Sequence, residues 1–176
     1  MRPFPLLLAA ALVSCGAAGR PPTADPPVSE QAARLLSATN AARAQARDCP
    51  DGKHYLAAPA LTYSALLAAS AQGYADALAA QDDFPRDGVH TDAAGHTFAQ
   101  RAAAAGYQPL PGRMYAVGEN VQGGAATPEA AVQAWLLSPT HCPNLMDPDF
   151  SELGLGLTER ADTTYGIYWV QNLGRR

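Results

Sequence analysis

The stretch S-E-L-G-L-G-L-T-E-R-A-D-T-T-Y-G-I-Y-W-V-Q, Ser151–Gln171, decides the fold. Leu153, Leu155 and Leu157 alternate with Gly154 and Gly156, a period of two that reads as a β-strand. One face of that strand carries leucines and the other carries no side chains, so a neighbouring element can approach it closely. A-D-T-T, Ala161–Thr164, is a turn. Tyr165, Ile167 and Trp169 against Tyr168 and Val170 then form the final strand. Helical patterns fill most of the chain before this pair. Helices first and an antiparallel pair last argue for an α+β or layered α/β/α arrangement rather than alternating βαβ units.

Working back toward the N-terminus, Thr127 followed by Pro128 is an N-cap with a first-turn proline. The helix it opens buries Ala131, Val132, Trp135 and Leu136, and Pro139 ends it. A shorter helix covers Thr97 to Ala105 and stops at Gly106. An extended piece, Met114–Gln122, lies between the two. The longest helix spans about Ala60 to Gln81, with Leu67, Ala71, Tyr74 and Leu78 on one face and Gly73 as a mild cost inside it. The first helix runs from Val28 or Ser29 to Arg47. Val28, Ala32, Leu35, Thr39, Ala42 and Ala46 form its core stripe, with Asn40 and Arg43 on a more polar side. D-C-P-D-G, Asp48–Gly52, stops it. Lys53–Pro59 is a loop that leaves His54 exposed. No glycine-rich nucleotide loop and no internal repeat is present.

The N-terminal residues set the address. Arg2 is the only charge before an apolar run from Phe4 to Val13, too short to span a bilayer as a helix. L-V-S-C, Leu12–Cys15, is similar to a bacterial lipobox. It predicts a signal peptide over residues 1–14, cleavage between Ser14 and Cys15, and lipidation of Cys15. The alternative is an ordinary secretory leader cleaved nearby, giving a secreted protein. Residues 15–27 read as a Pro/Ala-rich tether and 28–176 as one domain, expected to be a monomer. The 176-residue chain has a formal charge of −4, and loss of Arg2 with the leader makes it one unit more negative. No basic stripe is present to collect phosphates, so nucleic acid is not an expected partner.

Export also bears on the cysteines. With Cys15 lipidated, Cys49 and Cys142 remain, and an isolated pair in an oxidising envelope reads as a disulfide closing a loop of ~93 residues. Two buried thiols are the alternative. Three polar islands interrupt the Ala/Leu-rich chain: V-H-T-D-A-A-G at Val89–Gly95, G-E-N at Gly118–Asn120, and S-P-T-H-C-P-N at Ser138–Asn144. They are expected to converge on one cleft.

In sequence order the chain carries L-L-x-x-T-N-x-x-R (Leu35–Arg43), H-T-D-x-x-G-x-T-x-x-x-R (His90–Arg101), A-G-Y (Ala105–Tyr107) and G-E-N. W-x-x-S-P-x-H-x-x-N (Trp135–Asn144), F-S-E-L-G-L-G (Phe150–Gly156) and Y-W-V-Q (Tyr168–Gln171) follow. Together these resemble the CAP domain superfamily of cysteine-rich secretory, antigen 5 and pathogenesis-related-1 proteins, in its small bacterial form. The resemblance implies a three-layer α/β/α sandwich with a central, mostly antiparallel sheet. It also implies an open cleft holding His90, Glu119 and His141, where several members bind a divalent metal such as Zn²⁺. Two departures stand out. Ser138 occupies the place of a second glutamate found in many eukaryotic members, leaving Asp87 or Asp92 to supply a fourth polar group. The segment Asp82–Val89 is longer than usual.

Two imidazoles and a carboxylate suit an open, catalytic-type zinc site, which would allow a metal-dependent esterase or peptidase. Ser138 reads better as a helix-end cap than as a nucleophile, and Cys142 serves the disulfide. Alternatively His141 and Glu119 bond each other as scaffold, with Asn120 and Asn144 as amides satisfying loop backbone. Trp135 and Trp169 read as core and His96 as surface. The leading functional class is an interaction module at the cell envelope. Its candidate partners are the membrane through the N-terminal lipid, and a cell-wall glycan, lipid or envelope protein.

Overall fold

A side chain on Gly154 would collide with the backbone of Leu67 and Ala68, and one on Gly156 with that of Ala71 and Gln72. The computed structural model, which describes residues 29–82, 84 and 90–176, therefore seats a helix directly on the bare face of a strand. Five helices are described: α1 (Glu30–Arg43), α2 (Ala65–Gln81), α3 (Phe98–Ala104), α4 (Pro128–Leu136) and α5 (His141–Met146). The strands are β1 (Arg47–Asp48), β2 (His54–Tyr55), β3 (Thr62–Tyr63), β4 (Ala116–Gly123), β5 (Glu152–Glu159) and β6 (Ile167–Arg175).

The main sheet has the order β3-β5-β6-β4, and only the β3–β5 pairing is parallel. Alternation sorts its residues between two faces. Leu153, Leu155, Trp169 and Leu173 join Leu35 of α1, Trp135 of α4 and Leu145 of α5 in the larger core. Val121, Tyr168 and Val170 point the other way and pack on Ala71, Tyr74 and Leu78 of α2. The result is the expected α/β/α sandwich. β1 and β2 form a separate hairpin, joined to α5 by the Cys49–Cys142 disulfide across 93 residues. Both cysteines are buried.

Several boundaries differ from the sequence reading. α1 stops at Arg43 rather than Arg47, because Arg47 pairs with Tyr55 in the hairpin. Ala46 is consequently exposed. Arg43 is not on a polar side: it is fully buried, and its guanidinium donates to the carbonyls of Pro59, Leu145, Asp147 and Phe150 at 2.7–3.2 Å. Burial lowers its pKa from the ordinary arginine value, with Asp147 opposing that shift. α2 begins at Ala65 rather than Ala60, since Thr62 and Tyr63 pair with Glu152 and Leu153, and Ser64 then caps the helix. His54 is exposed as expected, although it lies in a short strand. The α3 start is a capping box between Thr97 and Gln100. Among the described residues no helix is long and apolar enough to cross a membrane. The leader, the lipobox cysteine Cys15 and the tether lie outside the described residues.

Candidate functional site at the β4 edge

β4 is an edge strand, and its alternation distributes the G-E-N motif to both faces of the sheet. Glu119 lies opposite Asn172, whose amide reaches Ser70 of α2 at 3.0 Å. Asn120 lies opposite Gln171, whose amide reaches Thr39 of α1 at 3.0 Å. The glutamate therefore serves the α2–α3 side and the asparagine the α1–α5 side.

On the first side, Glu119 is 3% exposed and needs partners for its charge. Nη2 of Arg101 donates to both of its oxygens at 2.9 Å, and Nδ1 of His90 lies 3.0 Å from Oε1. Nη1 of Arg101 donates to the carbonyls of His90 and His96 at 3.1 and 2.7 Å. The guanidinium also stacks over the Tyr74 ring, 3.7 Å from its centroid. One arginine thus fixes the glutamate, the backbone of His90 and the start of α3.

On the second side, His141 is the first residue of α5, and Oγ of Ser138 accepts its backbone N–H at 3.3 Å. Burial, followed by the neighbouring His90, lowers the imidazole pKa to about 4, so the ring is neutral at physiological pH. The two imidazoles meet edge to face, with ring centroids 6.1 Å apart. Asn120 donates to Oε1 of Gln171 at 2.9 Å, and Asn144 donates to Oδ1 of Asn120 at 3.2 Å. This chain of amides ties β4, β6 and α5 together beneath His141.

Five predicted residues thus meet here: His90, Glu119, His141, Asn120 and Asn144. Ser138 adjoins them as a cap for the backbone of Thr140 and His141. The His141–Glu119 hydrogen bond of the alternative scaffold reading is not made, because the carboxylate is committed to Arg101 and His90. Asp92 does not complete the cleft, since its oxygens accept from the backbone of Ala94 and His96 and from the His96 ring. Asp87 lies outside the described residues. Sequence reasoning missed Arg101 and Gln171 as site residues. Each closes a quoted motif, and β-alternation places Gln171 on the face of Asn120.

Among the described residues, no three His, Cys, Asp or Glu side chains are grouped to hold a metal. With both Glu119 oxygens on a guanidinium, the donors free to face a cation are the two imidazoles. A carboxylate on the second nitrogen of His90 is the usual orienting contact of a ligating histidine.

The chain matches the cysteine-rich secretory protein family (CAP) over residues 36–173. It is 39% identical over 54 residues to the uncharacterized protein YkwD of Bacillus subtilis (strain 168), a match covering 31% of this chain and 19% of that protein. An outer surface protein of Borrelia burgdorferi has a similar structure, with a TM-score of 0.64 and 24% identity over 86% of this chain and 96% of that one. An extracellular protein with an SCP domain from Bacillus anthracis str. Ames gives a TM-score of 0.54 and 24% identity, over 68% of this chain and 35% of its own. A cysteine-rich secretory protein from Staphylococcus aureus gives a TM-score of 0.54 and 17% identity, over 85% and 41%. The strand of alternating leucine and glycine, the helix lying on its bare face and the family match across most of the chain lead to one assignment: the protein belongs to the CAP, or cysteine-rich secretory protein, family.

Proposed function

We propose that the protein is an extracytoplasmic interaction module, held at the bacterial envelope by a lipid on Cys15, whose cleft takes a divalent cation between His90 and His141. The address is supported by the lipobox-like sequence and by relatives described as extracellular or outer surface proteins. The observation that carries the cation reading is the His90–Glu119 contact at 3.0 Å, made through Nδ1. It leaves Nε2 of His90 as the donor atom beside a neutral His141. A bound cation would supply Lewis acidity or a bridge to an anionic group on a partner.

Glu119 has no oxygen free of Arg101 to take a proton from water, Ser138 is spent on backbone N–H groups, and Cys142 is in the disulfide. The hydrolase alternative therefore lacks a placed base or nucleophile among these residues. The test is zinc titration of the full chain by calorimetry beside His90→Ala/His141→Ala and Glu119→Gln. One equivalent bound by the parent, none by the double variant, and affinity weakened by about 10–100-fold in Glu119→Gln is the expected pattern. Equal binding by the parent and the double variant would overturn the site. A Cys15→Ala chain recovered in the soluble rather than the membrane fraction checks the anchor.

A further inference from the structure

Backbone hydrogen bonding decides whether the edge of a strand is open to another chain. The N–H of Arg160 donates to the carbonyl of Gly166 at 2.8 Å, so β5 turns the backbone of its even-numbered residues toward β6. Leu153, Leu155, Leu157 and Glu159 therefore present their N–H and C=O groups on the opposite side. β3 meets that side only at Glu152 and Leu153, and the Leu153 carbonyl accepts from Ser64 at 2.8 Å. Beyond Leu153, no strand among the described residues pairs there.

At Leu157 a side chain stands in for the missing strand. Oε1 of Gln72 accepts the Leu157 N–H at 3.1 Å, and Nε2 of Gln72 donates to the Leu157 carbonyl at 3.0 Å. These are the two bonds that a hydrogen-bonded antiparallel partner would make. The amide is also braced from outside. Its Nε2 donates to Oδ1 of Asp76 at 2.9 Å, and Oγ1 of Thr158 donates to the same oxygen at 2.6 Å. The bare face of Gly156 makes the reach possible, since it lets the backbone of Ala71 and Gln72 lie directly on the strand. The arrangement is at the surface, with Gln72 and Leu157 half-buried and Asp76 and Glu159 exposed.

The edge so covered is suited to its own kind. L-G-L-G-L-T, Leu153–Thr158, has no charge and no proline, the features that discourage strand association. Antiparallel pairing of two copies about Leu157 is two-fold symmetric, so one surface serves both. It sets Glu159 of each copy opposite Leu155 of the other, and no like charges face each other there. We propose that Gln72 is an intramolecular stopper on this edge. With its amide in place β5 does not pair between molecules, and without it two copies join through β5 into one continuous sheet. The device is independent of the histidine pair.

The test is sedimentation velocity over a range of concentrations, with amide hydrogen exchange at Leu157 followed by NMR, on the full chain carrying Cys15→Ala to remove the lipid. Gln72→Ala is expected to dimerise at least about tenfold more tightly than the parent. Its Leu157 amide should exchange fast when dilute and slowly when concentrated, whereas in the parent it exchanges slowly at every concentration. Gln72→Met, of similar length but without the amide, should behave as Gln72→Ala does, and decides the matter if the alanine variant does not fold. Adding Glu159→Pro removes an outward N–H without touching the ladder to β6, and should return either variant to the parent's association. Association of the Gln72 variants no tighter than the parent's would overturn the proposal. So would a dimer that survives Glu159→Pro, or concentration-dependent protection of Leu157 in the parent, which would mean that the edge is already paired between molecules.

Discussion

Arg101 and Glu119 form an ion pair in which one guanidinium nitrogen, Nη2, donates to both carboxylate oxygens at 2.9 Å, and nearly all water is excluded: the glutamate side chain is 0% and the arginine side chain 9% exposed. Removing one partner from such a pair strands the other charge in the interior. Arg101→Met is expected to lower unfolding free energy by about 3–5 kcal/mol. Adding Glu119→Gln in the same chain should restore part of the loss. Guanidinium denaturation of the two single variants and the double variant measures the coupling. A loss below about 1 kcal/mol for Arg101→Met, the scale of a surface pair, would contradict the buried pair.

The two kinds of glycine on and under α2 should respond in opposite directions. Gly156→Ala drives a methyl into the backbone of Ala71 and is expected to cost at least about 4 kcal/mol or to prevent folding. Gly73→Ala meets open space in a helix and should add about 1 kcal/mol. Thermal melts of both variants settle the contrast, and a neutral Gly156→Ala would mean that the helix does not lie on the strand.

Much of this could be read in the chain beforehand. The alternation of Leu153–Gly154–Leu155–Gly156 encodes a strand and the bareness of one of its faces, because the period is local. The pairing of Cys49 with Cys142 followed from reading Cys15, the third cysteine, as lipidated and the compartment as oxidising. The burial of Arg43 was not legible. Its partners are backbone carbonyls at Pro59, Leu145, Asp147 and Phe150, and backbone acceptors leave no side-chain signature. The Arg101–Glu119 pair was hidden for a related reason. Both residues stood in recognised motifs, but only tertiary packing shows that the helix bearing one covers the strand face bearing the other.

Arg43 supplies a further prediction. Arg43→Lys keeps the charge, but a single ammonium cannot reproduce a planar fork that reaches four carbonyls. The substitution is expected to cost about 3 kcal/mol or more, measured by the denaturation midpoint at constant m. Stability within about 0.5 kcal/mol of the parent would show that the carbonyls find other donors.

The low pKa of His141 makes stability depend on pH with a definite sign. The unfolded chain takes up a proton there near the ordinary value of 6.5, whereas the folded chain resists until about 4. The unfolded state thus binds more protons in that window, and stability falls as pH is lowered through it. Above 6.5 the contribution is complete, and below 4 no further loss comes from this group. His141→Phe should flatten the profile between those values. A profile unchanged by the substitution would show that the ring is hydrated and titrates normally.

The order of the sheet has a consequence for how the molecule comes into being. β6 lies between β5 and β4 and is hydrogen-bonded to both, yet it is the final strand in the chain. Neither β4 nor the bare-faced β5 has its main antiparallel neighbour until Ile167–Arg175 is present, and such non-local pairings form late because loop closure precedes their reward. Synthesis from the N-terminus can make helices early but cannot close the sheet. The nascent polypeptide therefore leaves its sheet an unfinished surface until Ile167–Arg175 has been made.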